Sequence, residues 1–144
     1  MSVKIIVDST VDLVPEVRAR VKVVPLSVRF GEEEYQDGVT ITADKFYEML
    51  VNSEQLPTTS QPTPAAFEDV YAEATADGSE VVVITIASKL SGTYQSATIA
   101  AEEFPGKVFV VDSRTAAIGS GILAEYALQL AKQGLSKITD ERTL

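Results

Sequence analysis

The stretch Val81 to Ala97, VVVITIASKLSGTYQSA, restricts the fold more than any other part of this chain. Val81 to Ile86 is apolar and rich in β-branched residues, with none of the polar alternation that a half-exposed strand shows. Such a run belongs to a strand covered on both faces, as in a parallel sheet with helices above and below it. The run breaks at Ser88, and Ser91, Gly92 and Thr93 then open a helix. The carboxyl end of the strand thus delivers hydroxyl groups to a helix N-terminus. Unpaired backbone N–H groups and the positive end of the helix dipole lie there, a setting that suits a carboxylate or phosphate oxygen. Ser91 reads equally as the cap of its own helix, because serine is a leading N-cap residue.

The composition excludes much of the usual catalytic chemistry. The 144 residues contain no cysteine, histidine or tryptophan. Cysteine nucleophiles, Cys/His zinc sites, Ser-His-Asp triads and histidine general bases are therefore all removed. Twelve basic against twenty-one acidic residues give a net charge of −9, which disfavours a nucleic-acid backbone as partner. The length is that of one domain able to bury about two-thirds of its unfolded surface. The opening MSVKIIVDST has too short an apolar run for a signal peptide, and no stretch is long enough to span a membrane, so the expected location is the cytoplasm.

Taken in order, Val3 to Val7 is an apolar run ending in Asp8, Ser9 and Thr10, and a helical pattern follows over Asp12 to Arg18. An Asp at a strand end resembles a phosphatase nucleophile, but Thr10 occupies the position where that chemistry places its acidic proton donor. A turn satisfied by its own side chains accounts for Asp8 and Ser9 at least as well as a ligand role does. Val21 to Leu26 and Val28 to Phe30 read as short strands, and Glu32 to Glu34 as a solvated turn. Ala43 to Val51 reads as a helix capped by Thr42. Residues 55–64 carry three prolines and four hydroxyl residues and read as a stiff loop that presents Thr59 and Ser60. Thr63 and Pro64 then start a helix whose buried stripe is Phe67, Val70, Tyr71 and Ala74. Lys107 to Val111 is a further strand ending in Asp112-Ser113, and Ala116 to Lys132 a helix closed by Gly134. Gly119 and Gly121 weaken that helix by up to about 1 kcal/mol each, which implies a close neighbour. Ser136 caps a further helix.

Alternating strands and helices predict a layered α/β domain with a mainly parallel sheet flanked by helices. Ligands of such sheets collect outside the carboxyl ends of the strands. Asp8 and Ser9, Ser88 to Ser91, and Asp112 with Ser113 would share that edge. The result is a polar pocket without a strong base, better suited to recognising an anionic head group than to turnover. An enzyme reading, phosphoryl transfer or ester cleavage with Asp8 or Ser91 as nucleophile, has only Lys89 nearby as a base.

Four segments, IIVDST at 5–10, TTSQPTP at 58–64, LSGTYQSA at 90–97 and VVDSRTAAIGSG at 110–121, occur in this order. Together they resemble the amino-terminal domain of the DegV family, the fatty-acid-binding B subunits of bacterial fatty acid kinase. The resemblance implies a non-enzymatic carrier of one long-chain fatty acid, without cofactor or metal. It places the carboxylate on Thr59 and Ser91. The amide of Gly92 at the helix start is expected to join them, and the hydroxyl-bearing loops make Asp8, Ser9, Ser60 and Ser113 possible pocket lining. It implies presentation to a kinase subunit that phosphorylates the bound acid. It also divides the chain into an amino-terminal domain, 1–135, and the start of a second domain, 136–144, whose remainder is absent. Self-association through the face thereby left open is expected.

Overall fold

A computed structural model describes residues 3–11, 13–54, 56–115 and 118–132, and only the backbone of residues 43, 118–121 and 132. Strands β1 (Val3–Asp8), β2 (Lys22–Val24), β6 (Glu80–Thr85) and β7 (Val108–Asp112) form a wholly parallel sheet in the order β2-β1-β6-β7. Helices α1 (Pro15–Arg18) and α5 (Ile118–Lys132) accompany one face, and α3 (Pro64–Thr75) and α4 (Thr93–Ala101) cover the other. Between β2 and α3 the chain adds β3 (Ser27–Phe30), β4 (Glu33–Gln36), α2 (Ala43–Asn52) and β5 (Thr58–Ser60). These three strands make an antiparallel sheet in the order β4-β3-β5.

The missing polar alternation in β6 has the cause expected for it. Val82 and Ile84 point into the core under α5, together with Ile5 and Val7 of β1. Val81 and Val83 point the other way, into the core with Phe67, Tyr71, Ala97 and Ala100. Burying each large side chain contributes about 1.5–3 kcal/mol. Tyr71 is fully buried yet satisfied, its hydroxyl donating to the carbonyl of Ala97 at 3.0 Å and tying α3 to α4. Burial pushes its ionisation above the ordinary value of 10.0.

Chain direction places the carboxyl ends of the parallel strands on one edge. The β1-to-β2 crossover passes through α1 on one face, and the β6-to-β7 crossover passes through α4 on the other. The loops after β1 and β6 consequently part in opposite directions at a topological switch point, where crevices open in sheets of this kind.

Several local expectations need correction. The helix expected over Asp12 to Arg18 is the four-residue α1, which Pro15 starts with no side-chain cap, and Asp12 lies outside the described residues. Glu33 and Glu34 are in β4, not in a turn, and Glu34 pairs with Arg29 across the hairpin at 3.4 Å. The stiff loop before Pro62 contains β5, whose pairing partner β3 lies thirty residues upstream. Thr42 and Thr63 cap α2 and α3 as expected, accepting from the amides of Lys45 and Ala66, each at 3.2 Å. The caps expected at Gly134 and Ser136 and the domain division after residue 135 lie outside the described residues. So does whatever packs against Gly119 and Gly121, the close neighbour expected there.

Candidate functional site at the carboxyl edge of the sheet

Asp8 closes the switch point. It is fully buried, and one carboxylate oxygen accepts from the Thr10 amide at 2.8 Å and from the Thr10 hydroxyl. The other accepts from the amide of Ile86, in the loop after β6, at 2.7 Å. A buried carboxylate with three donors is a strut that ties the β1 and β6 loops together. Ser9 has a similar role, its hydroxyl accepting from the amide of Leu26 at 2.9 Å. Buried Ser113 folds back on its own turn: its hydroxyl donates to the carbonyl of Thr115 at 2.9 Å and accepts from the Thr115 amide at 3.3 Å.

The other expected residues are differently placed. Helix α4 begins at Thr93 with Gly92, not Ser91, at its cap, and no side chain fills the capping position. Ser91 is half-buried one residue earlier. Its hydroxyl accepts from the Thr93 amide at 3.3 Å and lies 2.9 Å from the Thr93 hydroxyl. Thr59 and Ser60 stand exposed on β5, opposite Val28 and Ser27 of β3.

Gln61, directly after β5, connects the two hydroxyl-bearing segments. Its side-chain amide rests on Gly92, so closely that a Cβ built there would lie 2.7 Å from Nε2 and 2.8 Å from Cδ. The same Nε2 donates to the hydroxyl of Ser96 at 3.5 Å. Gly92 has φ −77°, which any residue adopts, so close approach and not backbone conformation is what favours glycine at this position. The fold thus brings the 58–61 segment against the start of α4.

Beside this junction is a cleft of about 520 Å³ lined by Ala87, Ser88, Lys89, Leu90, Asp112 and Arg114. Its two walls are stapled together. Asp112 accepts from the Ser88 amide at 3.1 Å, the Ser88 hydroxyl at 2.6 Å and the Arg114 amide at 2.9 Å, while the Ala87 amide donates to Thr115 at 2.8 Å. Partial burial pushes Asp112 upward, but the Ser88 hydroxyl, those two amides and the Arg114 charge outweigh it and hold the carboxyl below its ordinary range. A smaller crevice of about 320 Å³, between Lys4, Lys22 and Leu128, opens beside the amino-terminal half of β1 and contains none of the expected site residues. Among the described residues no cluster of acidic side chains could hold a metal ion, and no helix is long and apolar enough to cross a membrane.

A family model described as "Uncharacterised protein, DegV family" matches residues 2–141. The chain belongs to the DegV family. A DegV domain-containing protein of Deinococcus radiodurans is 44% identical over 138 residues, 94% of this chain and 49% of that protein. A DegV family protein from Thermus thermophilus, whose solved structure concerns its fatty acid binding, is 40% identical with a TM-score of 0.86 over 95% of this chain and 50% of its own. The Streptococcus pneumoniae fatty acid kinase B3 protein, solved with linoleic acid, is 25% identical with a TM-score of 0.81 over 99% of this chain and 53% of its own. The chain spans about half the length of the curated relatives it matches.

In this DegV-family chain the residue that sequence reasoning overlooked is Gln61. It stands inside the TTSQPTP motif, but an amide between serine and proline has no local partner to reveal its role. The available signal was Gly92, which needs no unusual backbone conformation and therefore needs a neighbour.

Proposed function

We propose that this chain is a non-enzymatic carrier of a long-chain fatty acid, with the carboxylate held by the hydroxyls of Thr59 and Ser91 and the amide of Gly92. The observation that carries the reading is the Gln61–Gly92 contact, which joins the Thr59 segment to the start of α4 at the sheet edge where ligands of α/β domains collect. The relatives support the same ligand class, since the T. thermophilus protein is described for fatty acid binding and the S. pneumoniae protein carries linoleic acid. The Asp8 nucleophile of the enzyme reading loses support because all three of its donors are structural.

Charge-assisted hydrogen bonds contribute roughly 1.5–3 kcal/mol each, and burying a methylene about 0.8 kcal/mol. The tail therefore supplies most of the affinity and the hydroxyls supply orientation. Exposed Val14, after β1, and Leu90, after β6, with Ile122 in the second turn of α5, follow strand ends at this edge and offer apolar surface to a tail. One wall gives about half of the roughly 12 kcal/mol that enclosing fifteen methylenes contributes, and association entropy removes several more. We place a second wall in the additional length of the relatives, and this 144-residue stretch titrated alone should bind weakly and self-associate through its exposed apolar residues. The bound carboxylate is presented to a kinase subunit, as the name of the S. pneumoniae relative suggests.

Titration with oleate followed by nuclear magnetic resonance tests the site. Saturable shifts at the amides of residues 58–61 and 91–93 are expected. Shifts elsewhere, or the same shifts with methyl oleate, would remove the carboxylate assignment. Sedimentation analysis tests the open face: a strictly monomeric chain with tight, stoichiometric oleate binding would show a self-sufficient site.

A further inference from the structure

Helix α2 is apolar on two sides. Phe46 and Met49 pack inward against the small core of Val28, Phe30 and Ile41. Tyr47 and Val51, one turn apart and so neighbours on a single face, are 63% and 83% exposed. A surface helix normally keeps its apolar stripe for the core and turns charged residues to water, so this outward pair is surface that a partner would bury. The last turn of α2 also lines a groove of about 500 Å³. Phe30 and Met49 are its apolar part, and Glu33 and Glu54 are its charged part. We propose that this face of α2 and the groove at its carboxyl end dock a basic segment of a partner protein, which sets a lysine or arginine in the groove and an apolar side chain against Tyr47 and Val51. The inference does not depend on the carrier reading, because none of Thr59, Ser91 and Gly92 lines the groove.

Charge selects the partner. Residues 27–56 hold seven acidic against two basic side chains, a net −5 of the chain's −9. Both cations are already paired, Arg29 with Glu34 at 3.4 Å and Lys45 with Glu48 at 3.6 Å. Among the described residues no cation lines the groove. Glu33 meets the Tyr35 hydroxyl at 2.7 Å, a donor that brings no positive charge, and Glu54 has no ion pair among the described residues. The last turn of α2 contains no basic residue either, so its terminal carbonyls add the negative end of the helix dipole to the two carboxylates. Such a surface repels an anionic membrane or a nucleic acid. It does not suit a bare metal ion, since no group of three acidic residues among those described could hold one. A lysine or arginine fits both parts of the groove: its methylene stem lies along Phe30 and Met49 while its head reaches Glu33 and Glu54. The exposed Tyr47 and Val51 extend the contact beyond what a small cation would cover. The groove also stands apart from the proposed head-group junction, for β3 pairs Ser27 with Ser60 beside Gln61 at one end and reaches the groove with Phe30 at the other.

The test titrates the full chain with short peptides in which a lysine or arginine sits beside leucine or phenylalanine, in about 0.15 M salt, where screening removes attraction to charges beyond about 8 Å. Saturable amide shifts by nuclear magnetic resonance are expected at residues 30–33 and 47–54. Glu33→Gln together with Glu54→Gln should weaken binding about tenfold or more. Both positions are exposed and glutamine keeps an acceptor, so the fold is spared. Glu102→Gln with Glu103→Gln, exposed residues that do not line the groove, makes the same change in net charge and should stay within about threefold of the parent. Val51→Ser, at a position without a packing role, should weaken binding about threefold or more. Equal losses in the two double variants would reduce the effect to net charge and overturn the proposal. So would shifts confined to other residues, no binding by any peptide, or unchanged binding when serine replaces either the basic or the apolar residue of the peptide. Spermidine binding as tightly as the peptides would make the groove a site for a small cation and would equally end the protein-docking assignment.

Discussion

Replacing Gly92 by alanine probes the junction on which the carrier reading depends. The new Cβ would lie 2.7 Å from Gln61 Nε2 and 2.8 Å from Cδ, inside van der Waals contact, so one side must move. Gln61 is exposed at the end of a flexible side chain and moves more readily than the start of α4. It loses its 3.5 Å bond to Ser96 and leaves its preferred rotamer, at a cost of about 1 kcal/mol. Two other effects of alanine, a poorer cap and a less flexible unfolded chain, are each about 0.5–1 kcal/mol and opposite in sign. Both persist when Gln61 is itself replaced by alanine, so a double-mutant cycle isolates the contact. Gly92→Ala should cost about 1 kcal/mol more in the parent than in the Gln61→Ala background, a difference of roughly 3–5 °C in Tm for a chain of this size. Urea and thermal unfolding of the four proteins measure it. An identical effect in both backgrounds would show that Gln61 does not rest on Gly92 and would separate the Thr59 segment from Ser91.

Ser91→Ala should weaken oleate binding about tenfold or more without abolishing it, because the tail supplies most of the affinity; calorimetry showing unchanged affinity would take Ser91 out of the site. Asp8→Asn puts an NH2 group among three donors and should cost about 2–4 kcal/mol in urea unfolding, with the loss of stability exceeding any specific effect on the ligand. Tyr71 is held neutral by burial, so its folded ionisation lies above the unfolded value of 10.0. Its contribution is complete below pH 10 and declines above it, as the unfolded state gives up the proton first. Tyr71→Phe should flatten that alkaline decline while costing about 1 kcal/mol at neutral pH through loss of the hydrogen bond that ties α3 to α4.

The parallel sheet was legible because burial on both faces leaves an unbroken record in Val81 to Ile84, and Thr63-Pro64 marks a helix start with little ambiguity. The carboxyl-edge cluster was legible for a related reason: the ends of β1, β6 and β7 each carry a hydroxyl residue. The antiparallel sheet was not. Thr58, Thr59 and Ser60 are all polar and all exposed, so β5 carries no alternation, and flanking Pro57 and Pro62 disguise it as a loop. What makes it a strand is pairing with Ser27 to Arg29, a distant relation that no local pattern records. Asp8 was ambiguous on similar grounds, since one of its donors is the Ile86 amide, seventy-eight positions away.

The segment that bears Thr59 has its own small core of Val28, Phe30 and Ile41, packed with Tyr35, Phe46 and Met49 and separate from the two cores of the parallel sheet. The two hydroxyls proposed to hold the head group, Thr59 and Ser91, therefore sit on two blocks with independent thermodynamic ceilings. The three-stranded block, with few buried residues, should release its amides to hydrogen exchange well before β1 and β6 do. Substitutions that loosen it would lower occupancy of the binding geometry without unfolding the parallel sheet, so ligand preference can drift in evolution with little penalty to the scaffold that carries Ser91.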